Sequence, residues 1–352
     1  MTSLADTIAR IQPPSTRIAE ATQRLLDGKT KPRRSLGRLE ELACQIAAIR
    51  GTTAPAPLVK AIVVMGADHG VAADGVSAYP PAVTRQMMVN FARGGAAINV
   101  LARCAGARVV VVDLGVVEPL PDEPAIRAHR IGPGTRNFVH GPAMTRGEAT
   151  AALEAGIALA EELAQAGVTL LGTGEMGIGN TTASSALTAV LTGAAPEAVT
   201  GRGTGIDDAG LAHKLAVIRR AIAVNQPDAG DPLDVLGKLG GFEIAGLAGL
   251  ILGGAAAGVP IVVDGFICGA AALIAARLAP AVTGYLVCAH RSVELGHHHV
   301  LAALGKAPLL QLELRLGEGT GAALAMPLVD AALAILQDMA TFASAGVSDS
   351  GA

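Results

Sequence analysis

Short apolar runs, all but one closing on glycine or an acid, recur along this chain and leave it few ways to fold. AIVVMGAD (61–68), RVVVVDLG (108–115) and VTLLGTGE (168–175) are followed by VPIVVDG (259–265), GYLVCAH (284–290) and LLQLELRLGEG (309–319). Helical stretches separate most of them. This is the pattern of an α/β protein with a parallel sheet covered by helices on both faces, here with six candidate strands. Ligands of such sheets bind beyond the carboxyl ends of the strands, and the unusual residues of this chain collect there.

A chain of 352 residues can bury a large core, and its length suggests one large domain and a smaller one. Apolar residues make up 51%, yet aromatics only 2%, and Trp is absent, so Ala, Val, Leu, Ile and Gly must pack closely to build that core. A formal charge of -3 leaves no electrostatic footprint for nucleic acid or an anionic membrane, and few rings are available to stack bases. No nucleic-acid partner is expected. Cys44, Cys104, Cys268 and Cys288 are far apart and form no C-x-x-C pair, which argues against a zinc site or a disulfide framework. They read as small buried hydrophobes in a reducing compartment. The N-terminal MTSLADTIARIQPP has acid and polar residues where a signal peptide needs an apolar run, so the cytoplasm is expected. Ile244 to Val263 is uncharged and long enough to span a bilayer, but Gly253-Gly254 and Gly258-Val259-Pro260 interrupt it. It reads as a buried helix, a turn and a central strand rather than a membrane span.

The chain ends look helical. Ile18, Ala21, Leu25 and Leu26 sit at helical spacing up to Gly28; Leu36, Leu39, Leu42, Ala43 and Ile46 repeat the pattern up to Gly51, with Ser35 as the expected N-cap. Pro55 and Pro57 mark a boundary. A last periodic helix, Val329, Leu333, Leu336 and Ala340, is expected to pack on the N-terminal helices. The expected division is a helical segment at 1–55, a large α/β domain at 56–320 and a helical segment at 321–352.

Two glycine loops carry the chemistry. GTGEMGIGNTTASSAL (172–187) holds a G-x-G-x-x-G through Gly172, Gly174 and Gly177, directly after a strand. A dinucleotide site would want an acid about 20 residues on that closes a second strand, and Glu197 follows Pro196 instead. The loop continues through Gly179-Asn180-Thr181-Thr182, which suits a single phosphate at a helix N-terminus; a tight strand-to-helix turn with a Thr cap is the bland alternative. GRGTGIDDAGLAHK (201–214) repeats the logic with Gly201, Gly203 and Gly205, then a helix carrying Lys214, which is either a phosphate ligand or a solvated lysine. A pyrophosphate-bearing phosphoribosyl donor needs Mg²⁺ and two adjacent acids after a strand. Asp113 and Asp264 each stand alone, and Asp207-Asp208 opens a helix. The expected donor is therefore a mononucleotide handled without metal.

KPRRSLGRLEELA (31–43), ADHGVAADGVSAYPPAVTRQMMVNFARGGAAINVLAR (67–103) and GEMGIGNTTASSAL (174–187) resemble the nicotinate-nucleotide–dimethylbenzimidazole phosphoribosyltransferase family. So do GRGTGIDDAGLAHK, VPIVVDGFICGAAAL (259–273), AHRSVELGHHHVL (289–301) and LRLGEGTGAAL (314–324), in order from about residue 30 to the C-terminus. One departure lies in the KPxxSLG turn, where the family carries Pro or Gly and this chain has Arg33 and Arg34. The resemblance implies a Rossmann-like sheet of six parallel strands with a small helical domain built from both chain ends. It also implies a homodimer in which the partner's small domain closes over the active site, and no cofactor. The implied substrates are nicotinate mononucleotide and 5,6-dimethylbenzimidazole.

By resemblance Glu318, in LGEGTGA, is the general base that takes the benzimidazole proton, and Glu175 is a second carboxylate that steadies charge or relays the proton. Ser77, Gln86, Met87 and Leu316 match positions that hold the benzimidazole. Gly174, Gly177, Asn180, Thr181, Gly203 and Lys214 are phosphate and ribose candidates, with Asp264 reaching a ribose hydroxyl. His297-His298-His299 is not expected to bind metal, because adjacent helical side chains point in different directions. His69, in DHGV, is a better functional candidate than these three, with a hydrogen-bonded structural histidine as the safer reading. Three rival readings remain: another N-glycosyl transfer enzyme such as a nucleoside phosphorylase, a non-catalytic nucleotide- or base-binding protein, and an NAD-dependent dehydrogenase.

Overall fold

A computed structural model describes residues 2–121, 123–203 and 205–348. Helices α1 (Leu4–Arg10), α2 (Thr16–Asp27) and α3 (Arg38–Arg50) precede β1 (Lys60–Ala67). Next come α4 (Ala82–Ala92), α5 (Ala97–Cys104), β2 (Ala107–Gly115), the short β3 (Ile126–Ala128), α6 (Arg146–Gln165) and β4 (Leu170–Met176). Five helices separate β4 from β5 (Ile261–Val263): α7 (Asn180–Thr192), α8 (Pro196–Val199), α9 (Asp208–Asn225), α10 (Pro232–Leu239) and α11 (Phe242–Ala256). After β5, α12 (Phe266–Leu278) leads to β6 (Leu286–Cys288), and α13 (Gly296–Leu304), α14 (Thr320–Asp338) and α15 (Phe342–Ala345) close the chain.

The six strands are all parallel, in the order β3-β2-β1-β4-β5-β6. This is the doubly wound, Rossmann-like order, with its direction reversing between β1 and β4. Side chains of β1 alternate between two cores: Ala61, Val63 and Met65 face the one built with α6, α11 and α12, while Ile62 and Val64 face the one built with α3, α5 and α14. The near-absence of rings is matched by close helix contacts. A Cβ at Gly156 would strike the Gly246 carbonyl, and one at Gly249 the Leu153 carbonyl, so α6 and α11 touch backbone to backbone.

The expected buried helix, turn and strand at 244–263 are α11 and β5, and α11 is buried along almost its whole length. Among the described residues one helix, α14, is long and apolar enough to cross a membrane, and 56% of its most apolar window is buried inside the fold. It packs on α2 and α3, as the apolar spacing predicts, and also on β4 and β5. It ends at Asp338, so Ala340 lies beyond it.

Four sequence expectations need correcting. Of the cysteines read as buried hydrophobes only Cys268 and Cys288 are buried; Cys44 is half-buried and Cys104, at the end of α5, is exposed. The run 309–319 is not a strand: Leu310 makes a single bridge to His290, Gln311 to Glu313 are exposed, and Glu313 turns left-handed at φ 55. The sixth strand is instead β3, three residues paired only with β2 at the sheet edge, too short to announce itself in sequence. Ser35 is not an N-cap either; α3 starts at Arg38 with Gly37 at the cap, and Ser35 lies in the preceding turn. Arg34 in that turn sits at φ 60, a left-handed conformation that glycine adopts freely and a side chain resists by roughly 1–2 kcal/mol.

Candidate active site

A cavity of about 230 Å³ opens beyond the carboxyl ends of β4, β5 and β6. Glu175 and Met176 of β4, Asp264 after β5 and His290 after β6 form its floor. Three helices begin on its wall. Asn180 and Thr181 open α7, Gly265 and Phe266 open α12, and Gly317 leads into α14. The positive ends of three helix dipoles therefore converge on one small space; the Asp264 carboxyl takes the backbone N–H groups at the starts of α12 and α14, which leaves the start of α7 facing the cavity.

The glycine loops reach this cavity as their spacing suggests. Gly179 caps α7 in the left-handed region, at φ 98, with no side-chain cap. Thr181 accepts a 2.9 Å hydrogen bond from Lys214 Nζ, and Gly203, at φ 52, packs over both. Lys214 is buried and so is not the solvated lysine of the bland reading. Burial pushes its ammonium down to about 8, with Glu294 opposing that shift. Gly177 lies on the cavity wall, and a Cβ there would meet the Ala67 carbonyl at 2.5 Å. Gly174 is different: it sits inside β4 and off the cavity wall, where a Cβ would collide with the Glu318 carbonyl.

That contact sets the backbone of Glu318 against Glu175. Gly317, Glu318 and Gly319 all have positive φ, at 82, 63 and 97, and the tight turn they form lies on Gly174. Burial raises Glu175 to about 8; the Asn180 amide, which donates to its carboxylate, opposes this, Asp264 and Glu243 reinforce it, and the Glu318 backbone N–H bonds the same carboxyl. Glu318 turns its own side chain the other way, where its Oε2 accepts the Ile98 N–H at the start of α5, at 3.1 Å. Burial raises this carboxyl as well, and the Ile98 N–H holds it partly back. One peptide thus presents Glu175 to the cavity and Glu318 to the side of α4 and α5.

Three of the four benzimidazole candidates lie off the cavity wall, on α4 or in the loop before it. Gln86 and Met87 are on α4, exposed and half-buried, and Ser77 Oγ accepts the Tyr79 N–H in the loop before it. Only Leu316 of these four lines the cavity, 58% exposed. Asp264 lines it too, but its Oδ1 accepts the Ala322 N–H of α14 at 2.9 Å. Burial moves Asp264 up to about 7, against four backbone N–H groups that favour its charge.

Several wall residues went unnoticed in the sequence: Tyr79, His290, Ser292, Glu294 and Arg315. The strand-end rule applied to β6 would have found His290 and Ser292. Glu294 is buried, takes the Gly203 N–H and stands near Lys214 and Arg315, and only tertiary packing makes it a neighbour of the glycine loops. His297 accepts the Ser292 N–H at 2.9 Å through Nδ1, and burial pushes it down to about 3, so it is neutral. His298 and His299 lie away from it at the helix surface, and the described residues include no group of three or more His, Cys, Asp or Glu side chains that could hold a metal. His69 is fully buried and pairs with Glu243 at 2.6 Å beneath Gly177, the structural role expected of it.

A parallel sheet in Rossmann order, with glycine loops and two buried carboxyls gathered beyond its strand ends, is the frame of an enzyme that handles a nucleotide. The family described as Phosphoribosyltransferase matches residues 11–347. Curated relatives bear the name nicotinate-nucleotide–dimethylbenzimidazole phosphoribosyltransferase: one from Roseiflexus sp. (strain RS-1) is 58% identical over 348 residues, and one from Geobacter sulfurreducens is 55% identical over 349, each alignment covering 99% of both chains. The crystal structure of CobT from Thermus thermophilus superimposes with a TM-score of 0.91 at 51% identity, covering 94% of this chain and 99% of that one. The chain belongs to the nicotinate-nucleotide–dimethylbenzimidazole phosphoribosyltransferase family, and it is a transferase.

Proposed function

We propose that the chain transfers ribose 5-phosphate from nicotinate mononucleotide to 5,6-dimethylbenzimidazole, with inversion at C1′, giving α-ribazole 5′-phosphate and nicotinate. The observation that carries this reading is the Glu318 peptide, which joins two buried carboxyls across the sheet's switch point. The donor lies in the cavity with its phosphate at the start of α7, held by Asn180, Thr181, Gly203 and Lys214. Gly177 lets the loop lie close against the Ala67 carbonyl, and Gly174 serves through the turn that it supports. Asp264, largely committed to α14, reaches a ribose hydroxyl with its remaining oxygen. The acceptor ring lies among Ser77, Gln86, Met87 and Leu316.

Nicotinate leaves as a neutral ring from a pyridinium, so its departure needs no general acid. The acceptor must lose an N–H proton as its other nitrogen attacks, and Glu318 takes that proton. A raised carboxyl is a better base near neutral pH than an ordinary one. Burial raises the Glu175 carboxyl to about 8 in the free protein; the cationic ring of the donor favours its ionised form, the proton passing to solvent as the donor binds, and a carboxylate is left beside the developing ribosyl charge. Holding two flat rings on opposite sides of C1′ supplies much of the remaining acceleration. No step calls for a metal, because the leaving group already carries the positive charge.

The active form is a homodimer; Tyr79 and Leu316, 55% and 58% exposed at the cavity mouth, support a covering partner. The helical segments at 1–55 and 321–352 act as one small unit in that closure, consistent with α14 lying on α2 and α3. The cytoplasm is the proposed location, in keeping with four free cysteines. The test is incubation with both substrates in EDTA, followed by detection of α-ribazole 5′-phosphate. Full turnover is expected, and no product, or a strict metal requirement, would refute the reading. Lys214→Ala should raise the KM for nicotinate mononucleotide far more than that for the base.

A further inference from the structure

The phosphate loop and the acceptor helix meet at one buried hydroxyl. Thr84, on α4, is completely buried, and its Oγ1 accepts the Ile178 N–H at 3.1 Å. Ile178 is on the cavity wall, between Gly177 and the start of α7. Two and three residues further along α4 stand Gln86 and Met87. The Thr84 hydroxyl also steadies the buried Asp68 carboxylate just after β1, which accepts the Val117 N–H at 2.7 Å. Burial works against that charge, so both partners are needed to keep it.

We infer that Thr84 is a positioning residue that couples occupancy of the acceptor side to the geometry of the donor's phosphate loop. The inference rests on the placement of the two substrates proposed above. A ring that packs against Met87 and Gln86 presses on α4, and α4 carries the acceptor of the Ile178 amide. The loop then follows the helix, and the attacking nitrogen and C1′ keep a common frame. That matters because in-line attack tolerates little error: reacting atoms must approach to about 3–3.5 Å. Coupling of this kind is reciprocal, so each ligand must tighten the other by the same factor.

Two ligands that cannot react with each other test this: ribose 5-phosphate, which lacks the nicotinate leaving group, and dimethylbenzimidazole. The dissociation constant of each is measured with and without saturating amounts of the other, in the wild-type protein, Thr84→Val and Thr84→Ser. The wild type should show reciprocal tightening in the usual range for coupled sites, about 5–150-fold. Thr84→Val keeps the shape and removes the hydroxyl, and its factor should fall to about 1; Thr84→Ser keeps the hydroxyl and should retain most of the coupling. A folding defect does not produce that pattern, because it weakens each ligand without abolishing the ratio. Should Thr84→Val fail to fold, Thr84→Ala replaces it. A wild-type factor of about 1, or a valine variant that keeps the coupling, overturns the inference while leaving the proposed reaction standing. Failure of the wild type to bind either ligand overturns the substrate placement itself.

Discussion

β4 runs through the middle of the sheet, between β1 and β5, and delivers Glu175 to the cavity at its end. The segment 309–319 runs over the surface, with Gln311, Glu313 and Arg315 exposed, and drops inward only at Glu318. Both finish in a buried carboxyl raised by burial. The first is fixed by the ladder to β1 along the whole strand and by pairing with β5 at Leu171 and Gly172, so its position is a property of the sheet. The second depends on three consecutive left-handed residues seated on Gly174. A side-chain-bearing residue held there costs energy of order 1–3 kcal/mol, and such strain gathers at functional sites. Glu318 is placed by a local turn and Glu175 by the core, and the two should fail differently.

The largest expected effect separates them at once. Glu318→Gln keeps the size and the Ile98 contact but cannot take a proton, so kcat should fall by ~10²–10⁴-fold with substrate affinity nearly unchanged. In the wild type, kcat should rise with pH through the raised pKa of this carboxyl. If Glu175→Gln is the more damaging change, the two carboxyls exchange roles.

Next in size is Gly174→Ala, which puts a methyl group against the Glu318 carbonyl. Overpacking of this kind costs about 1–3 kcal/mol, and the loss should appear in kcat and in thermal stability together. A variant that loses stability but keeps kcat would show that the turn does not govern the base.

Glu175→Gln should lower kcat less than Glu318→Gln does, and it carries a pH signature. The folded pKa is raised from 4.5 to about 8. The stabilising contribution of the protonated carboxyl is complete below 4.5 and is lost as pH rises through about 8. Replacing it by Gln removes that loss, so thermal melts should show the variant gaining on the wild type between these values. A difference independent of pH would mean that Glu175 ionises normally.

Smallest of all, Leu312→Ser on the surface segment, where Leu312 is 52% exposed, should shift the denaturant midpoint by no more than about 0.5 kcal/mol. A larger loss would show that this stretch is covered in the working assembly.

Much of this was legible in the sequence. The Rossmann-like frame followed from five of the six apolar runs, and the glycine loops led to the cavity because strand ends are where such sheets bind ligands. The sixth run misled because an apolar stretch closing on glycine and acid does not reveal whether a neighbour is free to pair with it. At 309–319 the neighbour, β6, is only three residues long, and the chain leaves it after a single bridge. β3 was missed for the complementary reason, since three residues at an edge carry no pattern.

The family, the parallel sheet and the residue types available for the chemistry are determined by the sequence alone, because hydrophobic periodicity and glycine spacing are local. Which way Glu318 faces, the burial of Lys214 beneath Gly203, the place of Glu294 beside the glycine loops and the bond from Thr84 to Ile178 were decided only by the tertiary structure. All but the Lys214–Gly203 contact join residues many tens of positions apart. Each also depends on desolvation, which exists only once the two layers of helices have closed over the sheet.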